Sequence, residues 1–232
     1  MSQVRRSALA LLAVVLAMVV TASTAGAHGV GHSPKAVDPL AHQGRYQALA
    51  AEWWQWALST PVETGGPFDA GTVRCRVNQP RRDVLFLAAP FNTSGSVDRT
   101  CTDSVGRGTR IFFPIINTEC SNVEDPPFFG ATAGARRHCV HQDVFDAAGL
   151  VATVDGHAMP VSRARFDVVS KDFRFTTVPG NPVGLTGPGR STTRGVWLLL
   201  KPLTKGTHTI SFAGSYPALD FSVAVTYRLT VR

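Results

Sequence analysis

The C-terminal end of the chain alternates without a break. Phe221, Val223, Val225, Tyr227, Leu229 and Val231 are separated one by one by Ser222, Ala224, Thr226, Arg228 and Thr230. A two-residue period puts the large apolar side chains on one face of a strand and the small or polar ones on the other, so this strand needs a second layer to cover it. Val196-Trp-Leu-Leu-Leu200 has no polar alternation, which predicts a central strand covered on both faces. Further strand signals fall at Leu150 to Val154, Ala164 to Val169, Phe173 to Val178 and His208 to Ala213. They are separated by the turn residues Asp155-Gly156, Pro179-Gly180-Asn181-Pro182 and Gly187-Pro188-Gly189. Strands that do not alternate with helices predict a mainly β protein, an antiparallel β-sandwich of Ig-like or jelly-roll type.

The middle of the chain adds a buried run, Arg110-Ile-Phe-Phe-Pro-Ile-Ile-Asn-Thr-Glu-Cys120, and a shorter one at Val84 to Ala88. Pro114 removes a ladder donor, so it marks an edge position, a bulge or a bend. Phe112, Phe113, Ile115 and Ile116 belong to the core, while Asn117 and Glu119 stand at the polar exit. Phe91 to Gly108 and Ser121 to Gln142, rich in Asn, Ser, Thr, Gly and Pro, read as two surface loops.

Residues 41–59 carry Tyr46, Leu49, Ala50, Trp53, Trp56 and Ala57 at three- and four-residue spacing, the pattern of one amphipathic helix. Pro61 and Gly65-Gly66-Pro67 end it. Trp54 lies about 100° round from Trp53, either on a second packing surface or as a stacking surface for a sugar or other ring.

The N-terminus has Arg5 and Arg6, an apolar segment from Ala8 to Val20, and Ala25-Gly26-Ala27. This is the pattern of a cleaved secretory signal peptide over residues 1–27, too short for a comfortable membrane span. Residues 28–40 form a flexible lead, and 41–232 form a single domain with no membrane span after cleavage. Export makes two disulfides the natural state of Cys75, Cys101, Cys120 and Cys139. Of the three pairings, Cys75–Cys101 with Cys120–Cys139 closes the two local loops.

The chain carries 23 Lys+Arg against 16 Asp+Glu, and loss of Arg5 and Arg6 lowers the net charge of +7 by two. Scattered arginines without interleaved aromatics do not make a nucleic-acid stripe. There is no Gly-x-Ser-x-Gly elbow, His-Glu-x-x-His, phosphate loop or dinucleotide fingerprint.

The remaining candidates are dispersed. Glu119, with Glu124 and Asp125 nearby, offers paired carboxylates for acid–base work on a glycosidic bond. His138 and His141 frame Cys139 and offer a catalytic partner or ligand contacts. Their plain alternatives are solvated loop charges and surface histidines. A ligand site would therefore draw on Trp54, Asn117, Glu119, His138 and His141. Cleavage after Ala27 would expose His28, whose amine and imidazole together can chelate copper. That His-Gly start is similar to the one in copper-dependent polysaccharide monooxygenases.

The segments Trp53-Trp54-Gln-Trp56-Ala-Leu-Ser59, Gly71-x-x-x-Cys75, Leu85-Phe-Leu-Ala88, Phe112-Phe-Pro-Ile-Ile-Asn117, Val154-Asp-Gly156 and Trp197-Leu-Leu-Leu200 through His208-Thr-Ile210 resemble a family of uncharacterised secreted bacterial proteins. The resemblance implies export and a common fold and carries no activity. The expectation is a secreted, disulfide-stabilised protein, extracellular or held at the cell envelope, that binds a carbohydrate or cell-envelope polymer. A polysaccharide-active hydrolase or lyase using Glu119 and His138, and a copper-dependent oxidative enzyme using His28, are the alternatives.

Overall fold

The computed structural model describes residues 34–91 and 93–232. The leader and His28 lie outside the described residues, and the signal-peptide and copper expectations lie there with them. The strands are β1 (Gly71–Val73), β2 (Val84–Phe86), β3 (Gly95–Val105), β4 (Arg110–Ser121), β5 (Ala148–Val154) and β6 (His157–Ala158). They continue with β7 (Asp167–Val169), β8 (Phe173–Thr176), β9 (Pro188–Leu200), β10 (Gly206–Tyr216) and β11 (Phe221–Val231). The helices are α1 (Gln43–Leu58), α2 (Ala133–Cys139) and the single turn α3 (Arg163–Phe166).

One sheet runs β1-β3-β11-β10-β5-β6, and the other runs β2-β4-β9-β7 with β8 also paired to β9. The sheets are mixed rather than antiparallel throughout, because β3 runs parallel to both β1 and β11, and β2 runs parallel to β4. In the first sheet the parallel pairs come from β3, which occupies the stretch read as a surface loop. Its inward positions include Arg99 and Cys101 in place of a hydrophobic series. Arg99 is 1% exposed and each of its three guanidinium nitrogens is hydrogen-bonded. It donates to the carbonyls of Asp69 (2.6 Å), Ala88 (2.5 Å) and Phe68 (2.9 Å) and to the Tyr227 hydroxyl (3.0 Å), and it lies over the Tyr227 ring. A charge so satisfied can be buried where an unpaired one could not.

The two sheets share a core. Ile111, Phe113 and Ile115 of β4 and Val196, Leu198 and Leu200 of β9 meet Ile210 and Phe212 of β10 and Val225, Tyr227 and Leu229 of β11. Phe113 and Phe212 stack at 4.7 Å across the layers. The alternating side chains of β11 thus find their cover, and the unbroken apolar run of β9 is explained by its other face, where Trp197 and Leu199 pack under α1. Trp53 and Trp56 anchor α1 on the β4–β9 sheet, and their indole N–H groups donate to the carbonyls of Leu87 (2.8 Å) and Val77 (3.1 Å).

Other boundaries shift for local reasons. Ala164 to Val169, read as one strand, is divided between α3 and β7, and the Ser121 to Gln142 loop contains α2, capped by the Thr132 side chain. The disulfides are Cys75–Cys101 and Cys120–Cys139.

Pro114 proves decisive for what β4 presents. Its register against β9 shifts between Pro114 and Ile116, leaving Ile115 as the extra residue of a bulge. Before the bulge, Phe112 faces α1 and Phe113 faces the other sheet. After it the parity is inverted, so Asn117 and Glu119 stand on the α1 side, opposite Gly195 and Thr193. Phe112 accepts from Leu87 N on the β2 side, and two residues on Pro114 points its missing donor the same way, past the last β2 pair.

Candidate functional site

The inverted end of β4 opens into a cleft of about 550 Å³. Its walls are Trp53 and Trp54 of α1, Pro90 and Phe91 after β2, Pro127 and Phe128 of the loop after β4, Val183 and Leu185 of the loop before β9, and Tyr216, Leu219, Phe221 and Val223 around the β10–β11 turn. Most of this lining is aromatic or aliphatic, with a few polar groups gathered at one end, the usual composition of a small-molecule site. That end consists of Asn117, Thr118, Glu119 and Glu124.

Glu119 is 3% exposed, a buried strand residue rather than a solvated loop charge. Its Oε2 accepts from the Ser191 hydroxyl. Glu124 is half-buried and accepts from the Ser121 hydroxyl at 2.8 Å. The two side chains are near enough for each carboxyl to act on the other's charge. Burial first, then Glu124, push the Glu119 carboxyl well above the ordinary carboxylate range against the opposing pull of Ser191. Burial likewise raises Glu124, opposed by Glu119 and Ser121. Two neighbouring carboxyls, one of them buried, disfavour a second negative charge and titrate as a pair. Glu119 Oε1 and, two residues away, Asn117 Oδ1 are buried without a hydrogen-bond partner.

The supporting polar groups are fixed. Trp54 is 6% exposed, and its indole N–H donates to Thr193 Oγ1 at 2.9 Å, which in turn donates to the Thr118 carbonyl at 2.6 Å. Trp54 is therefore a packed wall of the cleft and not a free stacking platform. Gly195 lets β9 approach Asn117, since a Cβ there would lie 2.5 Å from Asn117 Cβ. The loop carrying Glu124 is tied by Cys120–Cys139 and by Arg136, which is 3% exposed and donates to Asp172 (2.7 Å) and to the Gly130 carbonyl (2.9 Å). Burial pulls the Asp172 carboxyl up, but Arg136 and Arg190 outweigh it and hold it below its ordinary value.

Trp54, Asn117 and Glu119 thus meet in one cleft, with Glu124 beside them. His138 and His141 do not. Both are exposed, at the end of α2 and just after it, and neither lines the cleft. Burial, then Arg194 and Arg137, lower the His141 pKa. Among the described residues no group of three or more His, Cys, Asp or Glu is arranged to hold a metal ion. As site residues Ser191, Phe128, Tyr216 and Phe221 escaped sequence reasoning, although Phe221 opens the alternating C-terminal strand and Tyr216 is an aromatic beside Pro217.

No protein-family model matches the chain, and no curated protein matches it. Two solved structures show a faint likeness. PbICP-C, in complex with falcipain-2, is 13% identical over 65% of this chain and 99% of that one, with a TM-score of 0.26. The cysteine protease inhibitor EhICP2 from Entamoeba histolytica is 16% identical over 64% and 96%, with a TM-score of 0.23. At such TM-scores the likeness carries no argument about fold or function.

Proposed function

We propose that this chain is an exported binding protein whose ligand enters the cleft between Trp54, Tyr216 and Glu119. The observation that carries this reading is the pair of unpartnered buried acceptors, Glu119 Oε1 and Asn117 Oδ1, at the polar end of an otherwise apolar cleft. Buried polar atoms normally find partners, and a ligand would supply them here. A carbohydrate or envelope polymer would want polar partners spread along its length, whereas these gather at one end. A compact ligand with an apolar body fits better than the polymer expected from sequence. Secretion, to the extracellular space or the cell envelope, rests on the leader pattern of residues 1–27.

The carboxyl pair favours one second reading, hydrolysis. Flanking carboxyls of glycosidases stand on either side of the scissile bond, about 5 to 9.5 Å apart, whereas Glu119 and Glu124 act directly on each other's charge, so any such chemistry would run through the two together acting on water. Product release from a polysaccharide panel, lost in Glu119→Gln, would establish it.

Binding is tested with the neutral fluorophore N-phenyl-1-naphthylamine. Saturable blue-shifted emission, weakened about tenfold by Leu185→Trp at the cleft wall, is expected. Leu185 suits this change because its backbone, not its side chain, makes the local hydrogen bonds to Asn181. Emission that does not saturate, or that ignores the substitution, would contradict the site.

A further inference from the structure

We infer that the Glu119–Glu124–Asn117 end of the cleft is a subsite for a protonated primary amine, so that the ligand is an amine carried on a ring or alkyl body. This rests on the cleft being the binding site.

The buried atoms left unpartnered in the subsite, Glu119 Oε1 and Asn117 Oδ1, are both acceptor oxygens, and the donors beside them are neutral, the Asn117 amide and the Tyr216 hydroxyl. The indole donors of Trp53 and Trp54 are already given to Leu87 O and Thr193 Oγ1. The chain carries 23 Lys+Arg, yet among the described residues none lines the cleft. The nearby cations Arg136 and Arg190 are committed to Asp172. A ligand that satisfies both oxygens brings hydrogen-bond donors, and an ammonium brings three on one compact charge. Aromatic walls at Trp54, Phe91, Phe128 and Tyr216 suit the carbon body and favour a cation beside their faces.

The carboxyl pair also says how the charge is balanced. Glu119 is faced by Glu124 from the loop after β4 and by the neutral Ser191 hydroxyl from β9, and the other elements lining the cleft bring only neutral groups, Tyr216 of β10 and Trp54 of α1 among them. An entering ammonium favours the charged form of both carboxyls, so a proton held by the raised Glu119 carboxyl leaves to solvent and the ammonium charge replaces it. Binding should then release about one proton and tighten as pH rises, until the amine itself deprotonates.

The experiment is calorimetric titration of the full mature chain with phenethylamine, phenethyl alcohol and 3-phenylpropanoate, in phosphate and in Tris. The amine is expected to bind about tenfold or more tightly than the alcohol and the carboxylate least, with a difference in heat between buffers corresponding to one proton released. The ratio of amine to alcohol affinity should collapse in Glu119→Gln and, as a second variant, in Glu124→Gln. Equal binding of the three, no buffer dependence, or an amine preference kept in both variants would overturn the inference. If none binds while N-phenyl-1-naphthylamine still does, the amine subsite is wrong and the cleft stands. If neither probe set binds, the cleft itself is wrong.

Discussion

Glu119 of β4 and Glu124 of the loop that follows each feel the other's charge, with Glu119 turned into the cleft by the Ile115 bulge and steadied by Ser191. A one-residue irregularity in a core strand is what brings the pair together.

The pair makes stability depend on pH with a definite sign. Burial and Glu124 raise the folded Glu119 pKa above its unfolded value of about 4.3. The folded chain keeps a proton that the unfolded chain releases, so this group costs stability as pH rises from that value towards the raised one, and costs nothing below it. Glu119→Gln mimics the protonated acid. It should match the native protein at pH 4 and exceed it at pH 8 by about 1 to 3 kcal/mol, read from denaturant melts. A gap that does not change with pH would contradict the assignment.

The close approach of β9 to Asn117 predicts opposite outcomes at two glycines. Gly195→Ala places a Cβ 2.5 Å from Asn117 Cβ and 2.7 Å from the Ile116 carbonyl, which should cost about 1 to 3 kcal/mol. Gly44→Ala, in α1 with nothing within 4 Å, should stabilise by up to about 1 kcal/mol through helix propensity. Thermal melts of both variants decide it.

Arg136 and Arg190 share Asp172 but differ in exposure, 3% against 43% for the side chains. Removing Arg136 leaves a carboxylate in a poorly solvated site and should cost about 3 to 5 kcal/mol. Arg190→Ala should cost about 1 kcal/mol or less. Equal losses would show that the Glu124 loop is not anchored through Arg136.

Replacing both Cys120 and Cys139 by Ser opens a loop of sequence separation 19 and should lower stability by about 3 kcal/mol. Amide exchange should rise selectively over residues 121–132 and leave β10 and β11 protected. Uniform loss of protection would mean the disulfide holds the whole fold and not this loop.

Much of this architecture is legible in the chain. The period of two in β11, the unbroken run of β9 and the proline in β4 are local signals of burial on one face, on two faces and of a bulge. Strand β3 is not legible, because its inward Arg99 is made tolerable only by the carbonyls of Phe68, Asp69 and Ala88 and the Tyr227 hydroxyl, contacts that exist after folding. The cleft is partly legible. Trp54, Asn117 and Glu119 stand out by residue type, but their convergence depends on the parity change at Ile115, and the exposed placement of His138 and His141 depends on α2.

The most direct test of the cleft follows the indole N–H resonances of the four tryptophans during titration with N-phenyl-1-naphthylamine. Trp53 and Trp54 line the cleft, whereas Trp56 and Trp197 do not. The expected result is a saturable one-to-one shift of Trp54 and Trp53, with Trp56 and Trp197 moving least. A bound fluorophore that leaves Trp54 unmoved would place the ligand elsewhere and contradict the cleft as the binding site.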